Sequence, residues 1–196
     1  MNCDLAWTNT VNVIIVTLII ITSSSLLLTA ISSSQAQTEF LTYENNDFGF
    51  SIRYPSDWKK EEEYTSKSSN VNIVVSFAKQ NGSRIDTEAD LYIRTEDFLG
   101  KNVTLEDFAQ QQKAYTSSLL AVSSFNESKT IIGNKPAWQL EYIFKGIGGI
   151  ARHSLNSLMI NDNTGYSFVF STDKKSFDRY FPIAQKMIDS FHIGTK

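Results

Sequence analysis

The chain has 196 residues with 18 Lys and Arg against 21 Asp and Glu, a formal net charge of −3. That balance excludes the concentrated basic stripe of a nucleic-acid surface. One cysteine, Cys3, stands in the whole chain, so disulfides, thiolate metal sites and a cysteine nucleophile are excluded from everything after it.

Val11–Ile31 is the longest apolar run, and Asp4 is the one charge before Gln37. Ser34-Gln35-Ala36 is a small-x-small cleavage signal. The run is also about 20 residues long, enough to cross a bilayer uncleaved. Residues 1–36 are therefore expected to be a signal peptide or a membrane anchor, although no Lys or Arg precedes the run. Residues 37–39 form a linker, and 40–196 a single domain. This places the domain outside the cytoplasm, secreted or held to the outer face of the cytoplasmic membrane. A domain of roughly 160 residues buries about 70% of its unfolded surface and needs no staples. Its 13 Phe and 8 Tyr, all beyond residue 39, supply a core.

Leu41–Tyr43 reads as a short strand and Glu44–Asp47 as a turn. Phe48, Phe50, Ile52 and Tyr54 then alternate with Gly49, Ser51 and Arg53, the period of a strand with one buried face. Pro55 ends it, Ser56-Asp57 turns, and Trp58 returns to the core. Lys59–Asn70 is a charged edge becoming a loop, with Glu61, Glu62 and Glu63 discouraging strand addition. Val71–Phe77 alternates again. After a turn at Asn81-Gly82-Ser83, Ala89, Leu91 and Ile93 are expected to face the core, with Glu88, Asp90, Tyr92 and Arg94 facing out.

The period then changes. Thr104 and Asp107 form a capping box. Leu105, Phe108, Ala109, Gln112, Tyr115, Thr116 and Leu119 fall on one helical face, expected to lie on a sheet. Phe125–Ile132 returns to strand, Gly133–Pro136 turns, and Trp138, Leu140, Tyr142 and Phe144 share a face. Ile150–Ile160 is a further strand, followed by a turn over Asn161–Gly165 and the alternating Tyr166, Phe168 and Phe170. A second helix carries Phe177, Tyr180, Phe181, Ala184, Met187, Ile188 and Phe191 at i, i+3, i+4, i+7 spacing. Pro182 inside it predicts a kink or a restart. Tight turns between neighbouring strands and two segregated helices imply an α+β fold built on an antiparallel sheet.

These residues carry a resemblance. Tyr43…Phe48-Gly49-Phe50…Tyr54-Pro55-Ser56-Asp57-Trp58 resembles the N-terminal signature of the PsbP family, the extrinsic photosystem II proteins and their non-photosynthetic relatives. Gly133-x-Lys135-Pro136-Ala137-Trp138…Glu141-Tyr142 resembles the family's central hairpin. Asp178-Arg179-Tyr180-Phe181 and Ser190-Phe191 resemble its last helix. The match covers roughly Phe40–Ile193. The resemblance implies an antiparallel β-sheet sandwiched by helices, shared with a Ran-binding nuclear-import factor and small bacterial envelope lipoproteins. Two departures turn the expectation away from water oxidation: only a linker precedes Phe40, and no His and Asp set matches the family's proposed metal ligands.

Candidate chemistry is sparse. Gly146-Ile147-Gly148-Gly149-Ile150-Ala151 matches a dinucleotide fingerprint, but the preceding strand alternates and no amphipathic helix follows, so a hairpin loop is expected. His153 shares a strand face with Ala151, Leu155 and Met159, and His192 follows the last helix; neither has a partner ligand at zinc spacing. No G-x-S-x-G elbow occurs. Asp86, Glu88 and Asp90 recur every second residue, and Asp162 lies between two asparagines. These are the oxygen donors a calcium ion would use, though without the twelve-residue loop. Asn81, Asn102 and Asn126 begin glycosylation sequons. The expectation is a non-enzymatic module with an unidentified protein partner at the membrane surface, no nucleic acid and no resident cofactor. The alternative is a calcium, transition-metal or small-ligand binding protein of the cell envelope.

Overall fold

The computed structural model describes residues 38–62, 70–80, 87–120, 122 and 124–194. The expected leader, Asn81, Glu63 and Asp86 lie outside the described residues. Among those described, no helix is long and apolar enough to cross a membrane.

Among the described residues, ten strands form two antiparallel sheets. The small sheet has β1 (Phe40–Asn45), β2 (Phe50–Pro55) and β10 (His192–Ile193), in the order β1-β2-β10. The large sheet has β3 (Lys59–Glu62), β4 (Val71–Gln80), β5 (Thr87–Asp97), β6 (Asn126–Ile132), β7 (Lys135–Lys145), β8 (Ala151–Asn161) and β9 (Thr164–Asp173), in the order β3-β4-β5-β9-β8-β7-β6. Among the described residues the α-helices are α1 (Leu105–Leu120) and α2 (Phe177–Asp189).

Alternation decides which side of the large sheet each residue serves. Leu91, Ile93, Phe168, Phe170, Leu155 and Met159 point to one face, where they join Met187 and Ile188 of α2 and Phe50 and Ile52 of β2 in the main core. The opposite face carries Leu140 and Leu158, which pack with Phe98 and with Phe108 and Ala109 of α1 in a smaller cluster. The layers are thus α2 with the small sheet, then the large sheet, then α1. Rings weld the first interface. Tyr54 lies 4.8 Å from Phe77, and Phe191 meets Phe168 edge-on at 4.7 Å. Such pairs contribute about 0.5–1.5 kcal/mol each beyond simple burial.

The signature residues have visible structural work. Trp58 N donates to Pro55 O at 3.0 Å, closing the turn that brings its ring to Tyr180. Arg53 N donates to Ser190 Oγ at 2.8 Å, and β10 pairs with β2, so the chain's last described residues clip onto its first hairpin. Gly133 and Asn134 both have positive φ, 54° and 64°, and join Ile132 to Lys135 as a two-residue hairpin loop. Both central residues of that turn type need positive φ, which Gly and Asn tolerate.

Four expectations are corrected. Strands β1 and β2 leave the main sheet, and β2 pairs with the C-terminal β10 instead. Phe48 precedes β2 and is only partly buried, because Gly49 at φ 65° turns the chain there. Helix α2 runs from Phe177 to Asp189 through Pro182 without a restart, although the proline removes the bond its N–H would give to the Asp178 carbonyl. In α1, Phe108, Ala109, Gln112 and Thr116 are buried, but Tyr115 and Leu119 remain 51% and 62% exposed. The contact is therefore narrower than the periodic stripe.

Candidate functional site

The face of the large sheet under α1 is unusually polar. Going along β5, Asp90, Tyr92, Arg94 and Glu96 all lie on it. Asp90, Tyr92 and Arg94 were expected to face solvent; instead Gln112 of α1 lies against Arg94, and Asp90 pairs with Arg152 of β8. The capping box sets where α1 begins: Asp107 N donates to Thr104 Oγ1 at 3.1 Å, while Asp107 Oδ2 accepts from Thr104 N at 3.2 Å and from Oγ1 at 2.6 Å. These bonds hold the Asp107 carboxyl below its usual range. From that start the helix lays Gln112 and Thr116 over the sheet.

At the Gln112 end, Arg94 Nη2 donates to Gln112 Oε1 at 2.9 Å and to Glu96 Oε2 at 3.1 Å. Gln111 Nε2 donates to Glu96 Oε1 at 2.7 Å. Glu96 is 6% exposed, and its charge is matched by that guanidinium and two amides. The Arg94 guanidinium also lies 5.2 Å from the Tyr115 ring, which gives that exposed aromatic a role outside the core.

At the other end, Arg152 Nη2 donates to Asp90 Oδ1 at 2.6 Å and to Ser171 Oγ at 3.1 Å, and its Nε donates to the same hydroxyl at 3.2 Å. Burial raises the Asp90 carboxyl to about 6, with the Arg152 charge and hydrogen bond opposing the shift. Tyr142 and Tyr92, on the same face, are both raised by burial.

Glu88 does not join Asp90. The β4–β5 register shifts between Lys79 and Gln80, which pair with Ala89 and Thr87, so Glu88 is the extra residue of a bulge. Its carboxylate accepts from the Tyr180 hydroxyl of α2, on the opposite side of the sheet. The every-second-residue spacing thus puts Glu88 and Asp90 with separate partners. Asp162 is exposed in the β8–β9 turn at φ 53°, and its Oδ2 accepts from Asn161 Nδ2 at 3.1 Å. Among the described residues, no three His, Cys, Asp or Glu side chains converge as a metal cage.

On the α2 face, His153 Nε2 lies 2.7 Å from Glu141 Oε1, and its ring stacks on Phe177 at 3.5 Å. His192 is exposed in β10. The glycine-rich stretch is a tight hairpin link: Ile147–Gly149 forms a 3-10 turn, and Gly146 N donates to Ile150 O at 2.8 Å. Asn102, before α1, and Asn126, opening the edge strand β6, are both exposed. The polar floor under α1 went unread in the sequence, although polar Gln112 and Thr116 inside the helical stripe were a signal for it.

The profile of the PsbP family matches residues 38–193. No match was found among curated proteins. Solved structures share the fold at low identity. The solution structure of cyanobacterial PsbP (CyanoP) from Synechocystis sp. PCC 6803 is 17% identical with a TM-score of 0.58, over 85% of this chain and 98% of that one. LpqN of Mycobacterium tuberculosis, involved in cell envelope biogenesis, is 12% identical with a TM-score of 0.54, over 81% and 92%. The Saccharomyces cerevisiae Ran-binding protein Mog1p is 9% identical with a TM-score of 0.51, over 80% and 96%.

Proposed function

The chain belongs to the PsbP family, and from that premise we propose that it is a non-enzymatic accessory module. It works outside the cytoplasm, tethered by or released from its apolar N-terminal run, and binds a protein partner at the membrane surface. The observation that carries this is how three acidic groups of β5, Glu88, Asp90 and Glu96, are committed. Glu88 bonds Tyr180, Asp90 bonds Arg152 and Glu96 bonds Arg94, so these carboxylates hold the fold together. The apolar run Val11–Ile31 ahead of the family domain supports placement at a membrane. LpqN, a protein of the same fold involved in cell envelope biogenesis, supports an envelope setting. Exposed apolar side chains, among them Ile143 and Ile150, offer contact area.

The test is chemical cross-linking on native membranes, followed by identification of the attached peptides. The expected result is one reproducible partner cross-linked to the domain's surface; only random collisional products would refute the proposal. Intact mass of the native protein adds two readouts: a chain starting at Gln37 if the leader is removed, and sugar increments if Asn102 or Asn126 is modified.

A second reading, an ion or small-ligand carrier, draws on the polar floor under α1. Calorimetry with Ca²⁺, Mn²⁺ and Zn²⁺ tests its metal form, and no heat at millimolar metal removes it.

A further inference from the structure

One end of the domain gathers the entry of the chain and three turns. Ser56 N donates to Glu39 O at 2.8 Å, which fixes the first described residues beside the turn after β2. Trp58, which closes that turn, lies 6.2 Å from Tyr180 in the first turn of α2. Lys174 N, just before α2, donates to Ala151 O at 3.0 Å, at the mouth of the β7–β8 hairpin. Residues 38–39, the β2–β3 turn, the β9–α2 turn and the β7–β8 hairpin therefore share this end.

The hairpin is its apolar tip. Gly148 and Gly149 have φ of 72° and 78°, and a Cβ built on either meets nothing within 4 Å. The tip thus stands clear of the body, and Ile150 on it is 60% exposed. An aliphatic side chain held in water on a projecting turn gains by entering an apolar layer. Behind the tip stand Lys145, Lys174 and Lys175, all exposed. Among the described residues, none of the three has a carboxylate at ion-pair distance. Nearby acids are engaged elsewhere: Asp57 with Lys79, Asp173 with Ser176, Glu88 with Tyr180. Asp178 and Glu39 are exposed, as is Arg179, so the uncommitted charge of this end is positive.

The sequence ahead of the domain selects the occupant. Residues 32–37 carry no charge and separate Ile31 of the apolar run from Thr38. Fully extended, they reach at most about 25 Å. A run seated in a bilayer would therefore tether the domain by this end. One projecting aliphatic residue with lysines behind it matches an apolar layer under anionic headgroups, a surface that asks for no shape complementarity. We propose that this end rests on the bilayer, with the Ile150 hairpin among the headgroups and Lys145, Lys174 and Lys175 on anionic lipid phosphates. The proposal rests on the membrane placement proposed above and adds an orientation and a lipid class to it. It gives Ile150 to the bilayer and leaves other surfaces to the protein partner.

Spin labels on the full chain, reconstituted in vesicles, test this. Cys3→Ser removes the native thiol, and Ile150→Cys or Ile131→Cys supplies a single new one. Ile131 is the control: it is 68% exposed and lies beside the β6–β7 turn, at the opposite end of the sheet. In vesicles of equal parts phosphatidylcholine and phosphatidylglycerol, the label at 150 is expected to be shielded from an aqueous nickel chelate and open to oxygen. The label at 131 stays in water. Lys174→Gln with Lys175→Gln lowers the embedded-to-free ratio at 150 by about 25-fold, at about fivefold per lysine near an anionic surface. Vesicles of phosphatidylcholine alone release the label as well. Two labels equally open to the chelate on a vesicle-bound chain overturn the proposal. So does an embedded label at 150 that ignores both the lysines and the lipid charge, or a protein partner cross-linked to residues 146–150 in native membranes. Recovery of the native chain with cytosolic proteins refutes the membrane placement itself, whereas labels in water on a vesicle-bound chain refute only this orientation, so the two failures are distinguishable.

Discussion

Arg152 of β8 reaches across β9 to Asp90 of β5, closing a 2.6 Å ion pair between strands that are not neighbours. Ser171 of the intervening β9 supplies the hydroxyl midway. Three strands are thereby tied on the α1 face by one guanidinium, and Asp90 keeps a raised titration point within that tie.

Asp90 makes stability depend on pH with a definite sign. Its folded value of about 6 lies above the ordinary 3.8, so between those values the folded chain binds the extra proton. Stability from this residue is full below the ordinary value and is lost as pH rises through 6. The expected loss is about 1–3 kcal/mol, since part of the side chain remains open to solvent. Urea unfolding from pH 4 to pH 7 should show the difference between native protein and Asp90→Asn falling over that window. A difference that grows with pH would contradict the assigned sign. Asp173, held below its usual range by Ser176, contributes the opposite slope in both proteins and cancels in the comparison.

Gly165 is where the aromatic pair of the smaller cluster meets the sheet. A Cβ added there would lie 2.7 Å from both Phe98 Cζ and Phe108 Cζ. Both rings are buried and have no room to retreat. Gly165→Ala should cost about 1–3 kcal/mol or more through overpacking, read as a lower denaturation midpoint at unchanged slope. An unchanged midpoint would mean that α1 sits further from the sheet.

Thr104 starts α1 by accepting from Asp107 N. Thr104→Ala should cost about 1 kcal/mol, with Thr104→Ser retaining most of the stability. Faster amide hydrogen exchange in the first turn of α1 checks that the loss is local.

The burial pattern separates residues that composition treats alike. Phe168 is fully buried among Phe191 and its neighbours, so Phe168→Ala should cost about 3–5 kcal/mol. Leu119→Ala should stay within about 0.5 kcal/mol, because its side chain is mostly exposed. Equal costs would restore the wide apolar stripe that spacing alone predicts.

That contrast shows what was legible in the chain. Ala89, Leu91 and Ile93 announce a buried strand face by period, Thr104 and Asp107 a helix start, and Gly133–Pro136 a hairpin turn; each is a local signal and each appears in the structure, the turn closing within Gly133-Asn134. The partner of β2 was not legible, because it depends on a pairing with β10 that no local period encodes. Asp90 and Arg94 read as solvent-facing because alternation gives a side and not its cover. The bulge at Glu88 was hidden for a related reason: one extra residue reverses a side chain without changing composition. Candidate donors were therefore visible as residue types, while their actual partners, Arg152 and Tyr180, were set by the tertiary fold.

The central claim, a PsbP-family accessory module outside the cytoplasm at a membrane surface, is tested most directly by protease treatment of intact cells followed by fractionation. The expected result is digestion of the domain from outside, before lysis, with cytosolic proteins untouched and the remaining full-length chain in the membrane or medium fraction. A domain that stays intact until the cells are broken, and then appears with the cytosolic proteins, would contradict it.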